Sequence, residues 1–226
     1  MSTAQSTTPP RAGNRGVHSD AAFDARAIAD RYMSRFDVAM TGIDFDAVCR
    51  VVEVLRAARD RGSGVFLAGN GGSAATASHW VNDLGKATKR SGRRPIRVQS
   101  LSDNVSWLTA LANDEGYDRV YAGQLENFAS PGDVLIVISA SGNSPNLVGA
   151  VDVAARCGMT TVGLLGFDGG TLRTRVDEAL WLPTAKGDYG VTETGHVLLA
   201  DIITTCLMED GVGASGAPPG EHGQDL

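Results

Sequence analysis

The sequence predicts an α/β protein built on a parallel sheet, and three observations carry that prediction. Short apolar runs recur between helix-forming stretches. The runs are continuous rather than alternating, as expected of strands covered on both faces. Two of them end in glycine- and serine-rich turns that lead straight into the next helix. With 226 residues, 42% of them hydrophobic, the chain is long enough for one such domain with a substantial core.

The elements follow in order. Residues 1–20 are rich in Ser, Thr, Pro, Gly and Arg and read as a disordered tail, as does "GVGASGAPPGEHGQDL" at 211–226. The ordered domain is therefore placed at 21–210. Its first stretch, "DAAFDARAIADRYMSRFDVAM", has helix-forming composition. "DFDAVCRVVEVLRAARDRG" is a clearer amphipathic helix: Asp44 caps it, Val48, Val51, Val52 and Leu55 form its apolar face, and Gly62 stops it. Strands are then expected at 64–69, 96–101, 133–139, 160–167 and 178–183. Between them lie helices in "GGSAATASHWVNDLGK", "NVSWLTALAN", "YAGQLENFA", "PNLVGAVDVAARCG" and, short, "GGTLRTRV". The last helix is "VTETGHVLLADIITTCLME".

Composition narrows the function. A formal net charge of -6 argues against a nucleic-acid partner, which usually meets a basic surface. No apolar run approaches the roughly 18–20 residues that span a bilayer. The start of the chain lacks the apolar core of a secretory signal. Cys49, Cys157 and Cys206 are widely spaced and read as free, buried thiols rather than metal ligands. A soluble cytoplasmic protein is expected, with no nucleic-acid or membrane partner.

Two strand-to-helix turns carry the candidate site. One is Gly69-Asn70-Gly71-Gly72-Ser73 and the other is Ser139-Ala140-Ser141-Gly142-Asn143-Ser144. Small residues let the backbone approach a ligand, and hydroxyls with N–H groups at a helix N-terminus suit a phosphate. Gly, Ser and Asn also simply make turns, but two such turns at carboxyl ends of parallel strands favour an anion site. Neither turn is a dinucleotide fingerprint or a Walker loop, so a phosphorylated small molecule is favoured over a nucleotide.

His79 and Asp83, at i and i+4, share a helical face. Glu193 and Asp201 are eight residues apart on the last helix, about 80° around its axis, so both can line one side. Asp201 is set in "HVLLADIITTCL", an apolar context in which an acid needs a partner. His196, between them, divides evenly between a functional role and that of a cap or surface residue. Asp103, after a strand, and the pair Asn113-Asp114 are further polar candidates that can equally be caps and turns.

"GNGGSAATASH" together with "ISASGNSPN" resembles the SIS (sugar isomerase) domain, and within it the phosphoheptose isomerase branch. The resemblance runs from about residue 45 to 209, preceded by helices like that family's N-terminal pair. It implies a single domain with a five-stranded parallel sheet between helices, assembled as a homotetramer with active sites between subunits. It implies conversion of sedoheptulose 7-phosphate into a D-glycero-heptose 7-phosphate through an enediolate. By motif, Ser73, Ser139, Ser141 and Ser144 would hold the phosphate, with Asn70, Gly71, Gly72, Asn143 and Asp103 completing the substrate-binding set.

The family's working polar set is His, a Glu four residues on, and a Gln and a His on the last helix. Here it reads His79, Asp83, Glu193 and Asp201, and Ala140 stands where the family commonly has Thr. Asp83 is the first choice as base, and Asp201 or Glu193 would shuttle the second proton in an apolar setting. The same four residues are alternatively a ligand set for zinc or manganese. The sugar can have seven or eight carbons. The competing function is a non-catalytic phosphosugar sensor or scaffold.

Overall fold

A computed structural model of the chain describes residues 23–90 and 93–210. The tails expected at 1–20 and 211–226 lie outside the described residues. Two helices lead, α1 (Ala25–Met40) and α2 (Phe45–Arg61). Asp44 caps α2 as expected, its carboxylate accepting the Asp46 and Ala47 N–H groups, and Gly62 ends it in the left-handed region at φ 76°. The buried face of α2 is Val48, Val51 and Leu55, with Val52 half-buried beside them.

All five expected strands are present: β1 (Gly64–Gly69), β2 (Arg97–Ser100), β3 (Val134–Ser139), β4 (Thr160–Leu165) and β5 (Glu178–Trp181). They pair in parallel in the order β2-β1-β3-β4-β5. Alternate side chains of each strand feed two cores. Leu67, Ile136, Ile138, Val162 and Leu164 face α2, α3 (Gly72–Asn82) and α7 (Tyr189–Glu209). Phe66, Ala68, Leu135, Val137 and Leu165 face α4 (Val105–Asp114), α5 (Ala122–Phe128) and α6 (Pro145–Arg156). Burial on both faces is the reason the strands read as unbroken apolar runs.

This strand order has one switch point, between β1 and β3, where successive connections leave toward opposite faces. A crevice opens there at the carboxyl ends of the strands. The turns 69–73 and 139–144 follow those two strands, so topology alone brings the candidate loops side by side.

Three expectations are corrected. Cys49 and Cys206 are exposed and Cys157 is intermediate, so the thiols are free but not buried. Each of the first two neighbours a buried position, and one residue along a helix turns a side chain by about 100°. The helix α7 is 21 residues and is apolar enough to cross a membrane by length and composition, against the expectation that no segment is. Val191, Leu199, Ala200, Ile203 and Leu207 are buried in this fold, so much of that apolarity serves the core. Finally, α3 does not run on as a plain helix: Asp83–Ala87 forms a π-helical turn.

Candidate active site

The two loops enclose a small cavity of about 180 Å³ lined by Asn70, Ser73, Ser139, Ser141, Ser144, Tyr189 and Glu193, with Leu147 behind. The serines are placed to donate. Ser139 Oγ accepts the Gly142 N–H (3.0 Å) and Ser141 Oγ accepts the Asn143 N–H (3.3 Å), which leaves both hydroxyl protons for a ligand. Ser144 holds the N-cap position of α6 without making the side-chain cap bond, so its hydroxyl is available too.

Other expected binders have structural duties. Asn70 and Asn146 exchange amide hydrogen bonds (3.0 and 2.8 Å), locking the first loop to α6. Tyr117 adds a bond from its hydroxyl to Asn70 Oδ1 (3.0 Å), and the buried Tyr121 donates to the Gly69 carbonyl. The Asn70 side chain is therefore engaged, although it lines the cavity. Asn143 donates to the Ser141 carbonyl (2.9 Å) and accepts from Thr171 N–H and Oγ1 (2.8 Å each). It stays outside the lining because its amide ties the second loop to the turn after β4. Asp103 also stands apart, its carboxylate accepting the Ser78 hydroxyl. Asn113 and Asp114 bond to each other at the exposed end of α4.

Gly71, at φ 55°, turns the chain into α3, and Gly72 opens that helix. A Cβ on Gly72 would lie 2.5 Å from the Glu193 carboxylate, so glycine is what lets Glu193 reach the helix mouth. Gly72→Ala is expected to leave the fold intact, since a carboxylate at the end of a flexible side chain can move and Ala favours helix. It should displace Glu193 and lower kcat about tenfold; unchanged turnover with unchanged thermal stability would remove Glu193 from the site.

About two helical turns further along the paired α3 and α7, a second polar group assembles. One donor atom each of His79, Asp83 and Asp201 lies within 4.8 Å of the others, and His79 Nε2 is 3.2 Å from an Asp83 oxygen. The register is fixed by the buried Trp80, whose indole N–H donates to Thr204 Oγ1 (3.1 Å), so His79 and Asp201 are set by their neighbours in sequence. Glu193 is not in this group, so the four-residue set separates into a triad and a lone carboxylate at the loop cavity. Asp201 is exposed rather than embedded in apolar surroundings, because the apolar face of α7 turns toward the sheet.

His196 is neither cap nor surface residue. It is fully buried on α7, and among the described residues neither ring nitrogen has a hydrogen-bond partner. Desolvation lowers its pKa from 6.5 to about 4, while the Leu165 backbone pulls weakly the other way without a bond of good geometry.

Fold and site thus define an α/β domain with a hydroxyl-lined crevice at its switch point. The SIS domain family matches residues 27–166. The phosphoheptose isomerase of Chlorobaculum parvum is 36% identical over 183 residues, covering 80% of this chain and 87% of its own length. That of Pelobacter propionicus is 40% identical over 158 residues, covering 70% of this chain and 80% of its own. The structure of phosphoheptose isomerase from Neisseria gonorrhoeae superposes with a TM-score of 0.71 at 27% identity, over 80% of this chain and 95% of that one. The chain belongs to the SIS domain family, in its phosphoheptose isomerase branch.

Proposed function

We propose that the protein is a cytoplasmic ketose–aldose isomerase acting on sedoheptulose 7-phosphate or its eight-carbon analogue. The observation that carries this is the pairing of a hydroxyl-rich loop cavity with the His79, Asp83 and Asp201 triad, both on the α3–α7 seam. The named activity of its relatives supports the same reading. Ser73, Ser139, Ser141 and Ser144 bind the phosphate, and that grip orients the reacting end of the sugar. Asp83 removes the proton from C1 of the ketose, the enediolate forms, and the proton returns at C2. Asp201, which stands with Asp83 in the triad, exchanges the proton between the sugar oxygens, and Glu193 faces the substrate from the loop cavity.

One imidazole nitrogen and two carboxylates are a reasonable donor set for zinc or manganese, which, when bound, would polarise the sugar carbonyl. His79, Asp83 and Asp201 would hold it.

A homotetramer fits one feature of the single chain: Phe23, Ile28, Met33 and Val38 present exposed apolar side chains on and beside α1. Light scattering showing a monomer would overturn this part of the reading.

The test is NMR of sedoheptulose 7-phosphate in D2O with the protein, with and without added zinc or manganese. Aldose signals with deuterium in the C1–C2 region are expected. Binding without exchange, on seven- and eight-carbon ketose phosphates alike, would instead indicate a sensor.

A further inference from the structure

If a phosphate monoester occupies the serine cavity, as proposed above, its charge is poorly balanced there. Among the described residues the lining has no lysine or arginine, and its one charged residue is the acidic Glu193. The N-termini of α3 and α6 supply roughly half a positive charge each. A phosphate carries about -1.5 to -2 at neutral pH. Roughly half to one negative charge is left without a partner, before Glu193 is counted.

A second hollow, of about 290 Å³, adjoins the first and shares Ser141 and Tyr189 with it. Its other walls are Asn143, Phe167, Asp168, Thr184 and Lys186, so it brings a cation to the edge of the serine loop. We infer that Lys186 is a phosphate-binding residue, its ammonium reaching across Ser141 to the anion that the serines hold.

The local structure presents Lys186 at a braced corner. The Asp188 N–H donates to the Ala185 carbonyl (3.0 Å), closing a tight turn with Gly187 at φ 92°. Both flanks of that turn are fixed: Thr184 shares a hydrogen bond with Thr192 (2.7 Å), and Asp188 pairs with Arg35 (2.7 Å). Asp188, two residues on, is thus engaged by Arg35, and Asp168, in the same hollow, turns Oδ1 to the Gly170 N–H (3.1 Å). Glu193 faces the cavity from α7, and its charge also draws the ammonium inward.

The facing wall is held under strain. Phe167 is the one non-glycine residue with positive φ, 46°, among the described residues. Its N–H donates to Thr184 Oγ1 (3.1 Å), its carbonyl accepts the Trp181 indole N–H (3.0 Å), and its ring meets Tyr189 edge-on at 5.1 Å. Backbone strain held by several contacts is typical of a shaped binding wall. Here the same contacts join that wall to the turn carrying Lys186.

The experiment is calorimetric titration of the full chain with inorganic phosphate, using wild type, Lys186→Gln and Lys186→Arg at two salt concentrations. Losing one charge-assisted hydrogen bond should weaken phosphate binding about tenfold in Lys186→Gln, with most of it restored in Lys186→Arg. The loss should shrink at high salt, and KM for the sugar phosphate should rise by more than kcat falls. Lys186 is exposed, so folding should be unaffected. Equal phosphate affinity in wild type and Lys186→Gln would overturn the inference while leaving the serine cavity standing. Wild type that binds neither phosphate nor sugar phosphate would overturn both.

Discussion

Asp83→Asn is expected to lower kcat by about 10²–10⁴-fold while the protein still binds its sugar phosphate. The substitution keeps volume and hydrogen-bonding shape but removes the oxygen pair that can accept a proton. Asp83 begins the π turn, which widens the helix where it faces α7, and π turns inside helices are frequently found at functional sites. Leu84, the next residue, is fully buried, and Thr88 Oγ1 donates to its carbonyl (2.6 Å), so the turn is anchored and its geometry should survive the change. Ser73 lies ten residues before Asp83, roughly 15 Å along the helix, far enough that the phosphate grip should be untouched.

Steady-state kinetics with calorimetric binding checks the prediction. Metal content of the same preparations separates the two uses of Asp83. Lost turnover with unchanged metal points to the base, and lost turnover with lost metal points to a ligand. Turnover within tenfold of wild type would remove Asp83 from either role. Asp83→Glu restores the family's residue at this position and should retain measurable turnover if the base role is right.

The parts of this fold that were legible in the sequence are those set by local rules. Asp44 and Gly62 bracket α2 because a carboxylate cap and a left-handed glycine act within one turn of the chain. The five strands were readable because burial on both faces leaves unbroken apolar runs. The serine cavity was legible for a related reason: two turns of the same chemistry follow β1 and β3, and a 2-1-3-4-5 order puts those two ends together.

What was not legible depends on rotation and on distant partners. Nothing in "LLADII" says which way Asp201 turns until α7 is packed on the sheet. Asn70 looks like a ligand in sequence, yet its amide is held by Asn146, 76 residues away. Lys186, in the β5–α7 connection, and Tyr189, the first residue of α7, gave no signal because only the path of that connection brings them to the site. The division of the polar set was also hidden. Spacing places Glu193 and Asp201 on one side of α7, but two turns of helix separate the helix mouth from the triad.

His196 carries the second large effect, on stability rather than turnover. Its ring is fully buried and, among the described residues, without a hydrogen-bond partner, so the native state holds it neutral, with a pKa of about 4 against 6.5 for a free imidazole. The unfolded chain therefore takes up a proton at a higher pH than the folded one. Well above pH 6.5, from about pH 7.5, both states are neutral and His196 makes stability no function of pH. Between pH 6.5 and 4 the unfolded state gains, and roughly 3 kcal/mol of stability is lost across that window. The other strongly shifted acid-range group, Asp210, acts lower down. Its hydrogen bond with Arg59, with Arg93 and Arg56 also contributing, holds its pKa at about 2 against 3.8 for a free carboxyl, so its contribution disappears only below pH 4. The two windows can be separated by experiment.

Urea unfolding at fixed protomer concentration, at several pH values from 7.5 to 4.5, should show wild type weakening steadily below pH 6.5. His196→Leu, which removes the titrating ring and its unsatisfied nitrogens together, should be nearly flat over the same range. At pH 7.5 that variant should be about as stable as wild type or more so, since an unsatisfied buried polar group is exchanged for an apolar one. Should His196→Leu pack badly, His196→Phe keeps the ring and offers the same comparison of slopes. A variant that folds and still loses stability as steeply as wild type between pH 6.5 and 4.5 would mean that the imidazole has a partner in solution and is not the source of the acid sensitivity.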